Sequence, residues 1–222
     1  AVKLLEHCLK NIGRKTGYNT SDGLYIGEHK LKSGDTTYPE YAKLILKDPT
    51  IDCAVLETSL RGILKQGLGY SFADYGIVLN IKDNDVGKND IKYIEDLAYA
   101  KSVVAEQINE EGYAILNADY ELIMEMRERV YSNLALFSTN PQNPKIIEQI
   151  KNKGLLTYLE NNKIYISKDG STEELIDIAR IPFLRNHQET YILEAVLGGI
   201  AALYAHNVST EQIVKSLSTF SN

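Results

Sequence analysis

The chain has 222 residues, of which 44% are hydrophobic and 24% are charged, and its formal net charge is −6. This is the composition of an ordinary globular protein with enough chain to bury a sizeable core. A negative charge without a basic stripe excludes a nucleic-acid partner held through phosphate contacts. No apolar run approaches the roughly 20 residues of a membrane-spanning helix. Cys8 and Cys53 lie far apart in apolar surroundings, which is typical of free thiols, so we predict a soluble cytoplasmic protein without a membrane partner. A homo-oligomer is left open.

Helical and strand patterns alternate through the first two thirds of the chain. Apolar residues at helical spacing predict a first helix over residues 1–12, whose amino end has no cap and is expected to be open. Nearly continuous apolar runs at residues 52–56, 75–79 and 113–116 are typical of strands buried on both faces. Further strands are predicted at 15–20, 24–26 and 134–137, and helices at 38–46, 94–108, 120–130 and 144–151. The alternation predicts an α/β fold with a doubly wound, mainly parallel sheet flanked by helices.

The pattern changes after residue 152. Short apolar runs at 155–159, 163–167 and 175–178 predict a small antiparallel sheet appended to the main one. Closing helices are predicted at 190–205 and 210–217. We interpret residues 1–222 as a single domain, which divides into a main α/β sheet (1–152), the appended sheet (153–182) and the closing helices (187–222).

Polar residues follow each of the three central apolar runs. They are Glu57, Asn80 and Asn117. In an open parallel sheet the carboxyl ends of the strands line the ligand crevice. We therefore expect these strands to be parallel neighbours that bring the three side chains to one edge. For Glu57, a surface acid that simply ends a strand is the alternative.

Several short motifs resemble the central, ATP-binding domain of the Mur ligase superfamily. They are TSDGLYI at residues 20–26, KSGDTT at 32–37, AVLET at 54–58 and LNAD at 116–119. The motifs occur in the family's order and at its spacing, and they are most similar to the Mur-type half of cyanophycin synthetases. The resemblance covers the chain almost end to end. It implies the family's fold and its chemistry, in which ATP phosphorylates a carboxylate and the amine of an amino acid displaces the phosphate.

The resemblance also implies roles for individual residues. Glu57 stands at the position of the family's magnesium-binding glutamate. Lys101 stands where many members carry a carbamylated lysine that supports a second magnesium ion, which makes it the candidate catalytic residue. Asn117 and Asp119 stand in a turn near the nucleotide and, with Asn80, are the candidate cofactor-binding residues. ATP and Mg²⁺ are the implied cofactors, and an amino-acid or peptide-like acid is the implied substrate. Without the family, Lys101 would be a helix-surface lysine.

The chain also departs from the family pattern. Asp85 stands at the position of a histidine and is a second candidate metal ligand, through oxygen. Tyr120 replaces the last acid of the family's NADD turn, and Glu194 with Ala195 stands where an asparagine that reads adenine is expected. The family's phosphate loop would precede Ala1, and its ATP-grasp half and C-terminal Mur domain lie outside this sequence. We therefore expect the 222-residue chain alone not to turn over ATP.

Three functions stay open at this point. The first is part of an active ATP-dependent ligase similar to cyanophycin synthetase, which the retained Glu57, Lys101 and Asn117 favour. The second is a degenerate module that keeps the fold for binding or interaction, which the lost asparagine and histidine favour. The third is another Mur-type ligase such as folylpolyglutamate synthase, which the TSDGLYI and GDTT motifs favour less.

Overall fold

A computed structural model describes residues 1–83, 86–88 and 91–221 of the chain. The helices in this part of the chain are α1 (Val2–Asn11), α2 (Pro39–Leu46), α3 (Leu60–Gln66), α4 (Ile94–Glu106), α5 (Glu121–Met124), α6 (Pro144–Lys151), α7 (Thr190–Ala205) and α8 (Thr210–Leu217). The strands are β1 (Thr16–Thr20), β2 (Gly23–Ile26), β3 (His29–Ser33), β4 (Cys53–Leu56), β5 (Ala73–Val78), β6 (Ile108–Asn117), β7 (Asn133–Ser138), β8 (Leu155–Glu160), β9 (Lys163–Lys168) and β10 (Ser171–Asp177). Short 3-10 segments follow α5 and β10.

The strands form two sheets. A six-stranded sheet has the order β10-β9-β8-β7-β6-β5, and a four-stranded sheet has the order β3-β2-β1-β4. The pairs β5–β6, β6–β7 and β7–β8 are parallel, whereas β8–β9 and β9–β10 are antiparallel. In the smaller sheet β1 pairs in parallel with β4 and antiparallel with β2. The predicted α/β fold with a mainly parallel sheet is confirmed.

The strands after residue 152 are antiparallel and are appended to the main sheet, as predicted, and the β7–β8 pair makes them part of one continuous six-stranded sheet. One expectation about the sheets differs from the structure. The prediction that β4 is the hydrogen-bonded neighbour of β5 is wrong, because β4 is an edge strand of the smaller sheet and β5 is an edge strand of the larger one. A continuous apolar run is typical of a strand that packs against apolar neighbours on both faces, but it does not indicate which strand lies beside it.

Helices cover both faces of the six-stranded sheet. One face packs against α7, with α8 against β10, and buries side chains such as Phe137 and Ile200, whereas α1 packs against β1 and β4 of the smaller sheet and against α7 and α8. The opposite face packs against α4, α5 and α6 and buries a second set around Leu97, Leu116 and Ile123. α1 begins with Ala1 at its N-cap position and no capping side chain, so the prediction of an uncapped first helix is confirmed.

Two glycines allow the helices to approach the sheet closely. A Cβ atom at Gly76 of β5 would lie 2.4 Å from the Val104 carbonyl oxygen of α4, so only glycine fits there. A Cβ atom at Gly198 of α7 would lie 3.0 Å from Ile77 and 3.2 Å from Phe137. These close contacts place α4 and α7 on opposite sides of β5. Lys101, one turn before Val104 on α4, consequently lies near the carboxyl end of that strand.

The sequence missed two elements. α3 was overlooked because the glycines around it resemble a loop, although Ser59 caps it by accepting a hydrogen bond from the Gly62 amide. β3 carries no strand signal in the sequence, because all five of its residues are exposed and no apolar alternation marks it. None of the helices in the described part of the chain is long and apolar enough to cross a bilayer.

Candidate functional site

The carboxyl ends of β5, β6 and β7 meet at one edge of the larger sheet. The parallel register pairs Val78 with Leu116 and Asn117 with Phe137, so the polar residues that follow these strands come together. Asn117 is fully buried, and its Nδ2 donates to the Leu79 carbonyl oxygen at 2.7 Å. Its Oδ1 accepts from the Asp119 amide at 3.0 Å. Asn117 therefore ties the end of β5 to the turn after β6.

Asp119 is held by donors from the loop after β7. Its carboxylate accepts hydrogen bonds from the Ser138 hydroxyl, the Thr139 amide (2.8 Å), the Thr139 hydroxyl (3.0 Å) and the Asn143 side-chain amide (3.0 Å). A carboxylate has about four lone-pair positions, so these donors use most of its capacity. Sequence reasoning missed Ser138, Thr139 and Asn143. The signal that marked the other strand ends, an apolar run followed by polar residues, is also present after β7.

Lys101 and Asn80 are in direct contact. The Lys101 ammonium on α4 donates to the Asn80 carbonyl oxygen at 3.1 Å. The Asn80 side chain contacts α7, where its Nδ2 donates to Oε2 of Glu194 at 3.3 Å. The structure thus joins two of the sequence-predicted site residues and adds a buried acid that was not predicted.

Glu57 follows β4 in the smaller sheet and is half-buried. Its backbone is fixed by Asn19, whose Oδ1 accepts from the Glu57 amide and whose Nδ2 donates to the Glu57 carbonyl oxygen, both at 3.0 Å. Burial raises the pKa of the Glu57 carboxyl, and the nearby Asp35 adds to that rise. A neighbouring cation would therefore favour the ionised form of Glu57.

A large cleft lies between the two sheets. Glu57 of the smaller sheet and Asn80 and Lys101 beside the larger sheet line the same cleft. The cleft has a volume of about 1170 Å³, and both edge strands, β4 and β5, line it. Apolar residues of α1 and α7 also line it. Although β4 and β5 are not paired, their polar ends therefore face a common cavity.

The donors in the cleft fit a magnesium site only in part. Among the residues that the structure describes, no group of three or more His, Cys, Asp or Glu side chains is placed to hold a metal. Asp85, the other predicted metal ligand, lies outside the described residues. Magnesium in nucleotide sites commonly takes one or two carboxylates and completes its shell with phosphate oxygens and water. Glu57 fits the role of such a carboxylate.

Comparisons with known proteins agree with this architecture. A family model described as the Mur ligase middle domain matches residues 2–188. A cyanophycin synthetase from Trichormus variabilis is 39% identical over 219 residues, covering 99% of this chain and 24% of that protein. The chain thus spans about a quarter of the length of this relative.

Two solved structures share the fold. A structure titled UDP-N-acetylmuramoyl-L-alanyl-D-glutamate–2,6-diaminopimelate ligase aligns with a TM-score of 0.66 at 14% identity, covering 99% of this chain and 43% of that one. E. coli FolC in complex with DHPP and ADP aligns with a TM-score of 0.65 at 16% identity, covering 98% of this chain and 53% of that one. At these identities the likeness establishes the fold alone.

Proposed function

This chain belongs to the Mur ligase middle-domain family, and from that premise we propose that it is the nucleotide- and magnesium-binding part of an ATP-dependent ligase. The ligase would join a carboxylic acid to the amino group of an amino acid, which is the chemistry that the resemblance to the Mur ligase family implies. The acid substrate would be an amino acid or a peptide-like chain. We also propose a cytoplasmic location, in keeping with the free thiols Cys8 and Cys53.

One observation carries the proposal. Glu57, Asn80 and Lys101 belong to different elements, yet all three line the cleft between the two sheets. A carboxylate and an amide that follow strands and an amine on α4 thus border one cavity next to strand carboxyl ends, where α/β proteins bind their ligands, and this supports the proposal. The cleft is also large enough for a ligand of nucleotide size.

The proposed chemistry assigns separate tasks to these residues. When bound, magnesium would supply neutralisation of the charge that develops in phosphoryl transfer. Glu57 would hold that ion through its carboxylate, and Asn19 would fix the Glu57 backbone for this task. Lys101 remains the candidate for a carbamylated side chain, and its contact with the Asn80 carbonyl sets its position at the cleft.

Asn117 and Asp119 take a different part in this proposal from the one that the family resemblance implies. Their side chains are occupied by contacts within the protein, so we propose that they shape the turn beside the nucleotide. The nucleotide itself would be contacted by the backbone of that turn. The same occupancy supports the second candidate function, a module that keeps the fold without catalysis.

Titration of the chain with MgATP by isothermal calorimetry tests the binding function. We expect the wild-type chain to bind, and we expect Glu57→Ala to weaken binding at least tenfold because one ligand of the magnesium ion is lost. Glu110→Ala is the matched control, since Glu110 is an exposed acid at the opposite end of β6. Equal affinities of wild type and Glu57→Ala would contradict the proposed metal site.

A second measurement separates the ligase from the non-catalytic module. The long protein that contains this domain would be assayed for phosphate release with ATP, magnesium and candidate acid and amine substrates. Release that depends on both Glu57 and Lys101 supports the ligase. Nucleotide binding without release by the long protein supports the module.

A further inference from the structure

Glu194 is a buried acid in the most hydrophobic helix of the protein. It is 1% exposed, and most of its neighbours along α7 are apolar residues packed on the sheet. Burying a carboxyl group is costly unless hydrogen-bond donors surround it. Oε2 of Glu194 accepts a hydrogen bond from the Asn80 side-chain amide at 3.3 Å, and the Tyr120 phenol lies near enough that burial and the Glu194 carboxyl together raise the pKa of Tyr120.

The contacts of Glu194 with Asn80 and Tyr120 connect three elements at the proposed nucleotide site. Glu194 lies on α7, Asn80 follows β5, and Tyr120 follows β6 in the turn that contains Asp119. The carbonyl oxygen of Asn80 accepts the hydrogen bond from Lys101. Asn80 thus links Glu194 to Lys101, the candidate catalytic lysine, through two hydrogen bonds. The Glu194 side chain itself does not line the cleft.

Two departures from the family pattern are in contact here. Tyr120 stands where the pattern has an acid, Glu194 stands where it has an asparagine, and the Glu194 carboxyl contributes, after burial, to the raised pKa of Tyr120. In this chain the acid lies on the helix, and the phenol lies on the turn. The exchange leaves a buried acceptor at the helix position, and the Glu194 side chain does not line the cleft.

We propose that Glu194 is a positioning residue, which fixes the Asn80 side chain and the Tyr120 turn so that Asn80 and Lys101 face the nucleotide in one arrangement. This inference rests on the proposed binding of MgATP in the cleft. It assigns α7 an indirect part in nucleotide binding that acts through Asn80.

The chemistry of the carboxyl group suits this task and identifies an informative variant. A carboxylate accepts hydrogen bonds only, and the Asn80 Nδ2 group that contacts it is a donor. Glutamine has the same shape but no charge, so Glu194→Gln removes the charge that strengthens the hydrogen bond from Asn80. Glu189→Gln is the matched control, because Glu189 lies at the start of the same helix and is exposed.

The first test needs no nucleotide. In ¹⁵N NMR spectra of the 222-residue chain, the side-chain amide protons of Asn80 should be shifted downfield and slow to exchange with solvent. Both properties should be lost in Glu194→Gln and kept in Glu189→Gln. An Asn80 resonance that is the same in wild type and in Glu194→Gln would overturn the inference, whether or not the protein binds ATP.

The second test is a double-mutant cycle on MgATP affinity. We expect Glu194→Gln and Asn80→Ala each to weaken binding about tenfold, and the double variant to be no weaker than Asn80→Ala alone. Thermal unfolding of the same variants separates this effect from a general loss of stability. If Glu194 acts independently of Asn80, its effect on affinity will persist undiminished in the Asn80→Ala background, which would overturn the inference.

The outcomes distinguish this inference from the proposed function. Failure of the wild-type chain and of the long protein to bind MgATP would refute the proposed function, whereas the NMR result would still decide whether Glu194 positions Asn80. Normal binding by the wild type with unchanged affinity in Glu194→Gln would refute the inference alone.

Discussion

In each of the two sheets a buried asparagine stabilises a strand end, but the acids beside the two asparagines differ in their surroundings. In the larger sheet the buried Asn117 donates to the backbone of the adjacent strand end, and in the smaller sheet the buried Asn19 does so. The acid beside Asn117, Asp119, is saturated by donors of the protein. The acid held by Asn19, Glu57, is half-buried and faces the cleft.

This difference shows how equivalent positions at strand ends can have separate roles. The sequence presents Asp119 and Glu57 alike, as acids after apolar runs. The number of internal donors around each carboxylate separates them: an acid whose lone pairs are occupied stabilises the fold, and an acid that faces a cavity is available to a cation. The following four variants test that distinction.

The largest effect is expected for Asp119→Ala. The substitution leaves the buried Ser138 hydroxyl and the Asn143 amide without one of their acceptors, so the free energy of unfolding should fall by about 3 kcal/mol. Urea denaturation measures this change. Asp48→Ala is the control, because Asp48 accepts from the Thr50 amide and hydroxyl in a similar local motif on the exposed surface, and its effect should be much smaller. Equal effects would contradict the structural role of Asp119.

The next effect concerns the paired asparagines. Asn117→Ala and Asn19→Ala should each lower the free energy of unfolding by about 2 kcal/mol, since each breaks buried hydrogen bonds to a neighbouring strand end. The two variants should differ in their effects on the magnesium dependence of ATP binding. Only Asn19→Ala releases the Glu57 backbone, so it alone should reduce the magnesium dependence of ATP binding measured by calorimetry. A comparable loss of magnesium dependence in Asn117→Ala would erase the distinction between the two regions.

A smaller effect on stability is expected for Glu57→Ala. Burial already disfavours the ionised form of this carboxyl, as the raised pKa indicates, so its removal should change the free energy of unfolding by no more than about 1 kcal/mol. Urea denaturation at pH 7, beside Asp119→Ala, checks this. A loss as large as that of Asp119→Ala would show that Glu57 is a structural acid.

The smallest effect concerns the titration of Tyr120. Burial, together with the hydrogen bond to Glu194, raises its pKa to about 12, whereas a tyrosine in an unfolded chain titrates near 10. Because the folded state holds the phenol proton more tightly, its contribution to stability is present below pH 10 and is lost as the pH rises toward 12. The ¹³Cζ resonance of Tyr120, followed against pH, should have its midpoint near 12 and move toward 10 in Glu194→Ala. A midpoint near 10 in the wild type would contradict the burial of Tyr120 beside Glu194.

Much of this architecture could be predicted from the sequence because its signals are local. The apolar spacing in residues 1–12 predicts α1, and the continuous apolar runs predict the strands β4, β5 and β6, of which β4 and β5 are edge strands that are only partly buried. The motifs around Glu57 and Asn117 indicate the family before any contact is known. Periodicity and motif spacing suffice here, since each depends on residues that are close along the chain.

Tertiary structure alone decided which strands are neighbours and which acids are occupied. The β1–β4 pairing, the cleft between β4 and β5, and the four donors around Asp119 join segments that are distant along the chain. Glu194 is the clearest case, because a single acid in an apolar helix gives no local indication of its partners. The hydrogen bond to Asn80 spans 114 positions of the chain, and such contacts form only when helices and strands pack together.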